Sequence, residues 1–337
     1  MNKEIARSRL IQALEASGLI IREEQVDQLV DAAWNSEEIH KGLSNEDLMD
    51  WINQLIYGSV ILTEKDYTYA LIQALNVSMN LRATDYGTSR QRDLGQLWTD
   101  TTRGFLGERA FSKFLFDRFQ IVSKFNYQID TEIDKFLSSD LEEIVLDNGT
   151  NIKPRINLSI KTTKLNGMWL DVPGAQIRHS DYFVLIKLGT TRYHFVSFLK
   201  WISAIRDKLL KLALSDGILD EDKAQDLYDK LPNFECIPCF IYGFIEKQRF
   251  ETNNENDCKT RLVRSKNSTR PKIMVIQYIG EINGNKPSKF HSPDRDNVDY
   301  EYQSIGKFSQ GKHYISSINF LEHNWSSLLE KMINGQQ

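Results

Sequence analysis

The stretch DLEEIVLDNGTNIKPRINLSIKTT, residues 140–163, decides how this chain is read. Two strand-like runs, 141–146 and 156–163, flank the Asp-Asn-Gly-Thr-Asn turn at 147–151. Asn-Gly between apolar runs is a strong hairpin signal, because both residues tolerate positive φ. Strand alternation puts Ser159 and Lys161 on one face and Leu158 and Ile160 on the other. In the register that sets Asp140 opposite Ser159, the side chains of Asp140, Ser159 and Lys161 converge. A slip of one residue would send Asp140 to the opposite face. A lone lysine in an apolar and Thr-rich strand needs a partner, since burial lowers its pKa.

Working upstream, residues 94–119 have helical periodicity. At 100° per residue, Leu97, Trp98, Phe105, Phe111, Leu115 and Phe119 form one stripe with Glu108 near its centre. A carboxylate aimed into an apolar interface is costly unless it is paired, protonated or bound to a cation. A structural ion pair with an Arg and a catalytic role both satisfy that requirement. Gly104 and Gly107 leave room for another backbone to come close.

The first 85 residues read as a helical subdomain. Apolar residues recur at Ile5, Leu10, Ile11 and Leu14, then at Val26, Leu29, Val30, Ala33 and Trp34, then at Leu48, Trp51, Ile52, Leu55 and Ile56. Ser44 followed by Asp47 marks a helix start, and a further helix is expected over 64–81. Downstream of the hairpin, 180–188 and 193–198 read as strands and 199–229 as helical. Further strands are expected over 237–245 and 273–279, and a last helix near 320–333. No internal repeat is evident.

Composition sets the outer bounds. The 337 residues carry 42 Lys+Arg against 46 Asp+Glu, a net charge of −4, which argues against a protein that coats nucleic acid. Hydrophobic residues at 41% and charged ones at 26% are a globular balance. Residues 1–60 hold 11 acids and 5 bases, so the rest of the chain is slightly basic at +2. Residues 1–10 lack an apolar signal-peptide core, and no apolar run approaches the ~20 residues that span a bilayer. Three cysteines are too few for a disulfide framework, so a reduced, cytoplasmic setting is expected. Cys236 and Cys239 form a CxxC without a second pair or a nearby His, and read as small residues of a buried strand. No His is assigned as a metal ligand.

A carboxylate and a lysine on adjacent strands suit metal-dependent phosphodiester hydrolysis. The carboxylate holds Mg²⁺, which takes oxygen ligands and keeps several waters, and the lysine orients the attacking water or stabilises developing charge. Several segments together resemble the type II restriction endonucleases of the PD-(D/E)XK nuclease superfamily. They are Thr101-Thr-Arg-Gly-Phe-Leu-Gly-Glu-Arg-Ala-Phe, Ser139-Asp-Leu, the turn, Ser159-Ile-Lys-Thr-Thr, and the strand opened by Ser180-Asp-Tyr. The similarity covers about residues 95–200.

The resemblance implies an α/β (α+β) core with a mixed central sheet flanked by helices. The expected organisation is a helical subdomain over 1–85, the nuclease core over 86–205, and a C-terminal region over 206–337 that recognises DNA and completes the core. It implies Asp140 as the metal-binding aspartate and Lys161 as the catalytic lysine. Ser159 stands where the family has its middle acid, and Ser139 where it has proline. A second carboxylate must therefore come from elsewhere. Glu108 is preferred; Asp171 is the other candidate, equally readable as a helix N-cap, and Glu142 and Glu143 adjoin Asp140.

Basic groups near the motif are candidate DNA contacts. Arg90, Arg92 and Arg103 precede or begin the helix, and Lys153, Arg155 and Lys164 flank the hairpin. Residues 259–272 read as a basic loop with Lys259, Arg261, Arg264, Lys266, Arg270 and Lys272 and no acid, of the kind that contacts phosphates and base edges. The implied activity is Mg²⁺-dependent cutting of double-stranded DNA in a restriction–modification system, by a homodimer or together with other restriction subunits. The alternative is a non-catalytic or partner-dependent DNA-binding subunit of a multi-component restriction complex.

Overall fold

The computed structural model describes residues 2–79, 93–125, 140–252, 258–263, 272–283, 300–301 and 312–335. Its helices are α1 (Lys3–Ala16), α2 (Glu23–Asn35), α3 (Asn45–Tyr57), α4 (Glu64–Ser78), α5 (Leu94–Phe119), α6 (His194–Trp201), α7 (Lys211–Ser215), α8 (Glu221–Lys230), α9 (Gln248–Glu251) and α10 (Trp325–Asn334). The strands are β1 (Ser59–Leu62), β2 (Val122–Phe125), β3 (Leu141–Val145), β4 (Asn151–Ile152), β5 (Leu158–Lys164), β6 (Trp169–Pro173), β7 (Tyr182–Leu188), β8 (Ile237–Glu246), β9 (Lys259–Val263), β10 (Lys272–Gln277), β11 (Ile279–Asn283), β12 (Tyr300–Glu301) and β13 (Lys312–Ser317). The fold is mixed α/β. Among the described residues, no helix is long and apolar enough to cross a membrane.

A mixed sheet with the order β1-β8-β7-β5 forms the centre. β5 and β7 run parallel, with Lys161 beside Leu185, while β7–β8 and β8–β1 are antiparallel. Every residue of β7 is buried, as expected of a strand covered on both faces. Alternation divides it between two cores. Val184, Ile186 and Leu188 join the aromatic side chains of α4, α5 and α10, among them Tyr67, Phe111, Phe114 and Trp325. Phe183 and Leu185 instead meet Leu10, Leu29, Trp51 and Ile52 of the N-terminal helices.

The N-terminal helices start where their caps dictate. Ser44 accepts from the Asp47 N–H at 3.1 Å and Asp47 reaches back to the Ser44 N–H, a reciprocal capping box. Thr63 and Asp66 repeat that device at α4. Asp66 also accepts from Arg109 at 2.8 Å and lies 3.3 Å from Lys113 Nζ, tying α4 to α5. The helices expected near residues 5–14, 26–34 and 48–56 are present. Residues 59–62, not anticipated as a strand, form β1 and give the central sheet its edge.

Three other local expectations are corrected. Residues 193–198 do not form a strand; His194, Ser197 and Phe198 are the buried positions of α6, and their i, i+3, i+4 spacing serves a helix packed on Tyr67 and Phe234. Of the CxxC pair, Cys239 is buried in β8, but Cys236 precedes the strand and is exposed. The basic stretch 259–272 is not a plain loop. Its ends, β9 and β10, pair antiparallel with Val263 beside Lys272, and residues 264–271 lie outside the described residues.

Candidate active site

The Asn-Gly turn closes a hairpin between β3 and the short β4, with Ile144 opposite Ile152. The chain then passes to β5, which pairs with β7 and not with the body of β3. Two hydrogen bonds of Asp140 reunite them. The Asp140 N–H donates to the Leu158 carbonyl at 3.0 Å, and Asp140 Oδ2 accepts from the Ile160 N–H at 2.5 Å. Asp140 thus brackets Ser159.

Lys161 points along the Ser159 face of β5. Its Nζ donates to Ser159 Oγ at 2.8 Å and to Gln176 Oε1 at 2.6 Å. Gln176 opens the 3₁₀ turn Gln176–Arg178 that follows β6. Burial pushes the Lys161 ammonium below its ordinary pKa, against the opposing charges of Asp140, Asp171 and Glu108. One amine therefore answers to three carboxylates.

Burial acts against the charged forms of two of them, Glu108 and Asp140. Glu108 is half-buried on α5, and its pKa is pushed well up, first by desolvation and then by the Asp140 charge, with Lys161 pulling the other way. Asp140 is raised as well by desolvation, opposed by Lys161, the Ile160 N–H and the Ser159 hydroxyl. Glu108 reaches this position because α5 lies tight on β5. A Cβ on Gly107 would sit 2.2 Å from Thr162 Cγ2, so the closely approaching group is a strand side chain, whereas nothing lies within 4 Å of a Cβ at Gly104.

Asp171 is not a helix N-cap. It lies within β6, opposite Ile315 of β13, and its Oδ1 lies 2.8 Å from Nδ1 of the buried His313. β13 brings the C-terminal part of the chain to the edge of the cluster. Of the other acids considered, Glu142 is exposed and Glu143 is paired with Lys124.

Among the described residues, no group of three or more His, Cys, Asp or Glu is arranged to hold a metal. A ready-made metal cage is thus lacking, and the donor set must be judged by its chemistry. Asp140 and Glu108 repel one another in a desolvated setting that favours their protonated forms. A dication between them would remove that penalty. Mg²⁺ is commonly held by one or two carboxylates, with waters and substrate phosphate completing the shell. The carboxylates of Asp140 and Glu108 are oxygen donors of the type such a site uses.

The expected DNA contacts are only partly placed. Arg103 is exposed on α5 and pairs with Asp100 at 2.7 Å. Arg261 stands on β9, in the sheet with β10 and β12 rather than that of Lys161. Arg90, Arg92, Arg264, Lys266 and Arg270 lie outside the described residues. Gln176 and His313 were not anticipated. Neither lies in a motif, and only the fold brings them to residues 15 and 142 positions away.

Comparisons with protein-family models, curated proteins and solved structures each found no significant match to the chain.

Proposed function

We propose that this chain is a Mg²⁺-dependent endonuclease acting on double-stranded DNA, a type II restriction enzyme with a PD-(D/E)XK-like core. The observation that carries the reading is Lys161, hydrogen-bonded to Ser159 and Gln176 and facing the charges of Asp140, Asp171 and Glu108. Asp140 and Glu108 would hold the ion, which when bound neutralises phosphate charge and lowers the pKa of a water.

The remaining chemistry falls to the chain's own groups. Lys161, its pKa lowered by burial, gives up a proton more readily than a free lysine and can take one from the attacking water at Nζ. In its charged form it donates to the oxygens that gain charge in the transition state. Ser159 and Gln176 fix its direction. Asp171, 2.8 Å from His313 Nδ1, adds a further carboxylate facing Lys161. In this reading the protein is cytoplasmic and works as a homodimer, because cutting both strands calls for two sites.

Ser159 in the place of an acid favours a second reading, a chain that cuts only with other restriction subunits or binds DNA without cutting. Purified protein incubated with unmethylated genomic DNA and Mg²⁺ or Mn²⁺ separates the two. The endonuclease reading expects discrete fragments that are lost with EDTA and in Asp140→Asn. Intact DNA with undiminished DNA binding would favour the second reading.

A further inference from the structure

Beside the Asp140–Lys161 group lies an open cleft of about 510 Å³, bordered by the N-terminal half of α5 and by the ends of β5 and β7. Among the described residues its lining includes Arg103, Thr162, Thr163, Lys164, Asn166 and Thr190, and no acid. Lys164 and Leu188 end two parallel strands, so the cleft opens at their carboxyl ends, where α/β sheets bind ligands. Its floor is the tight turn after β5. The Gly167 N–H donates to the Lys164 carbonyl at 2.8 Å, and a Cβ on Gly167 would strike Thr163 Oγ1 at 2.1 Å.

Two cations with hydroxyl and amide donors form a surface for an anion with several oxygens. Arg103 is engaged by Asp100, but both side chains are about half exposed, and such a pair exchanges readily for a phosphate. The cleft also has a fixed relation to the candidate site. α5 runs antiparallel to β5, with Arg103 toward Thr162–Lys164 and Gly107 toward Ile160 and Thr162. Arg103 precedes Glu108 by five residues, about 7.5 Å along the helix axis.

We infer that this cleft seats a backbone phosphate of the strand being cut, a neighbour of the scissile one, held by Arg103 and Lys164 with the threonine hydroxyls. The inference rests on the endonuclease reading and adds to it the path of the strand across α5 and β5. A free nucleotide presents the same phosphate chemistry, and the test distinguishes the two.

The test is binding of fluorescent, unmethylated mixed-sequence duplex DNA by the full chain without metal, between 50 and 200 mM salt. Neutralising two phosphate contacts, Arg103→Ala with Lys164→Ala should weaken binding about tenfold or more and reduce the log–log salt slope by about 1.8. Arg103→Lys should keep most of the slope. With Mg²⁺, the double variant should need about tenfold more DNA for half-maximal cutting. An unchanged salt slope, with the wild type still cutting DNA, would overturn the cleft assignment and leave the endonuclease reading intact. Wild-type protein that neither binds nor cuts DNA would overturn both. Stabilisation of the metal-free protein by millimolar mononucleotide, lost in the double variant while DNA binding is not, would assign the cleft to a nucleotide instead.

Discussion

The Nζ of Lys161 donates to Oε1 of Gln176 at 2.6 Å, joining the edge strand β5 of the central sheet to the turn that follows β6. A lysine has three rotatable donors on a flexible stem, so its direction must be imposed from outside. Gln176 imposes it. Gln176→Leu should lower the cleavage rate about 10- to 100-fold with DNA affinity unchanged. Gln176→Glu, which keeps the acceptor, should recover most of the rate. Equal loss in both variants would show that Gln176 serves packing alone.

Burial raises the pKa of both Glu108 and Asp140 above their ordinary values. Below the unfolded-state pKa both states are protonated. As pH rises from that value toward the folded one, the unfolded chain releases its protons first, so metal-free stability should fall across that window. Mg²⁺ should reverse the loss, giving a larger thermal shift at pH 8 than at pH 5. Glu108→Gln should flatten the fall and raise the Mg²⁺ concentration needed for cutting. An equal Mg²⁺ shift at both pH values would contradict this placement of the ligands.

Lys187 is fully buried in β7, with no hydrogen-bond partner for its Nζ among the described residues, and that Nζ lies 3.8 Å from the centre of the Tyr242 ring. Desolvation lowers its pKa to about 7, opposed by Glu38. Because the folded value lies below the unfolded one, stability should rise with pH from about 7 toward the ordinary lysine range. Lys187→Met should stabilise the protein at pH 7 and remove its share of that rise. Urea unfolding of both proteins at pH 7 and pH 9 checks this; parallel changes in the two would refute it.

Asp66 is 4% exposed and holds the α4 cap, Arg109 and Lys113 together, and its pKa is lowered despite desolvation. Asp66→Ala should cost about 2 kcal/mol, less than a fully buried pair would, because both bases remain partly exposed. The contribution is present above the unfolded aspartate pKa and is lost as pH falls through the folded one. Chemical denaturation at pH 7 and pH 3 should show the difference shrinking in acid.

Much of this arrangement is legible in the residues themselves. The Asn-Gly turn, the alternation in β5 and the periodicity of α5 place Asp140, Lys161 and Glu108 on the elements that carry them. Asp140 does bracket Ser159, but through two hydrogen bonds of its own and not through a continuous hairpin, because β5 pairs with β7. Local pattern cannot rank two partners for one strand. The same limit hid β1, whose four residues gain their meaning only beside β8, and turned 193–198 into a strand although the aromatic contacts of α6 decide for helix. Gln176 and His313 carry no local signal at all.

The most direct test is cleavage of unmethylated genomic DNA by Lys161→Ala beside the wild type, with Mg²⁺ and matched DNA occupancy. The wild type should produce discrete fragments, and the variant should bind the same DNA while cutting at least about 1,000-fold more slowly. Cutting by Lys161→Ala at the wild-type rate would contradict the account.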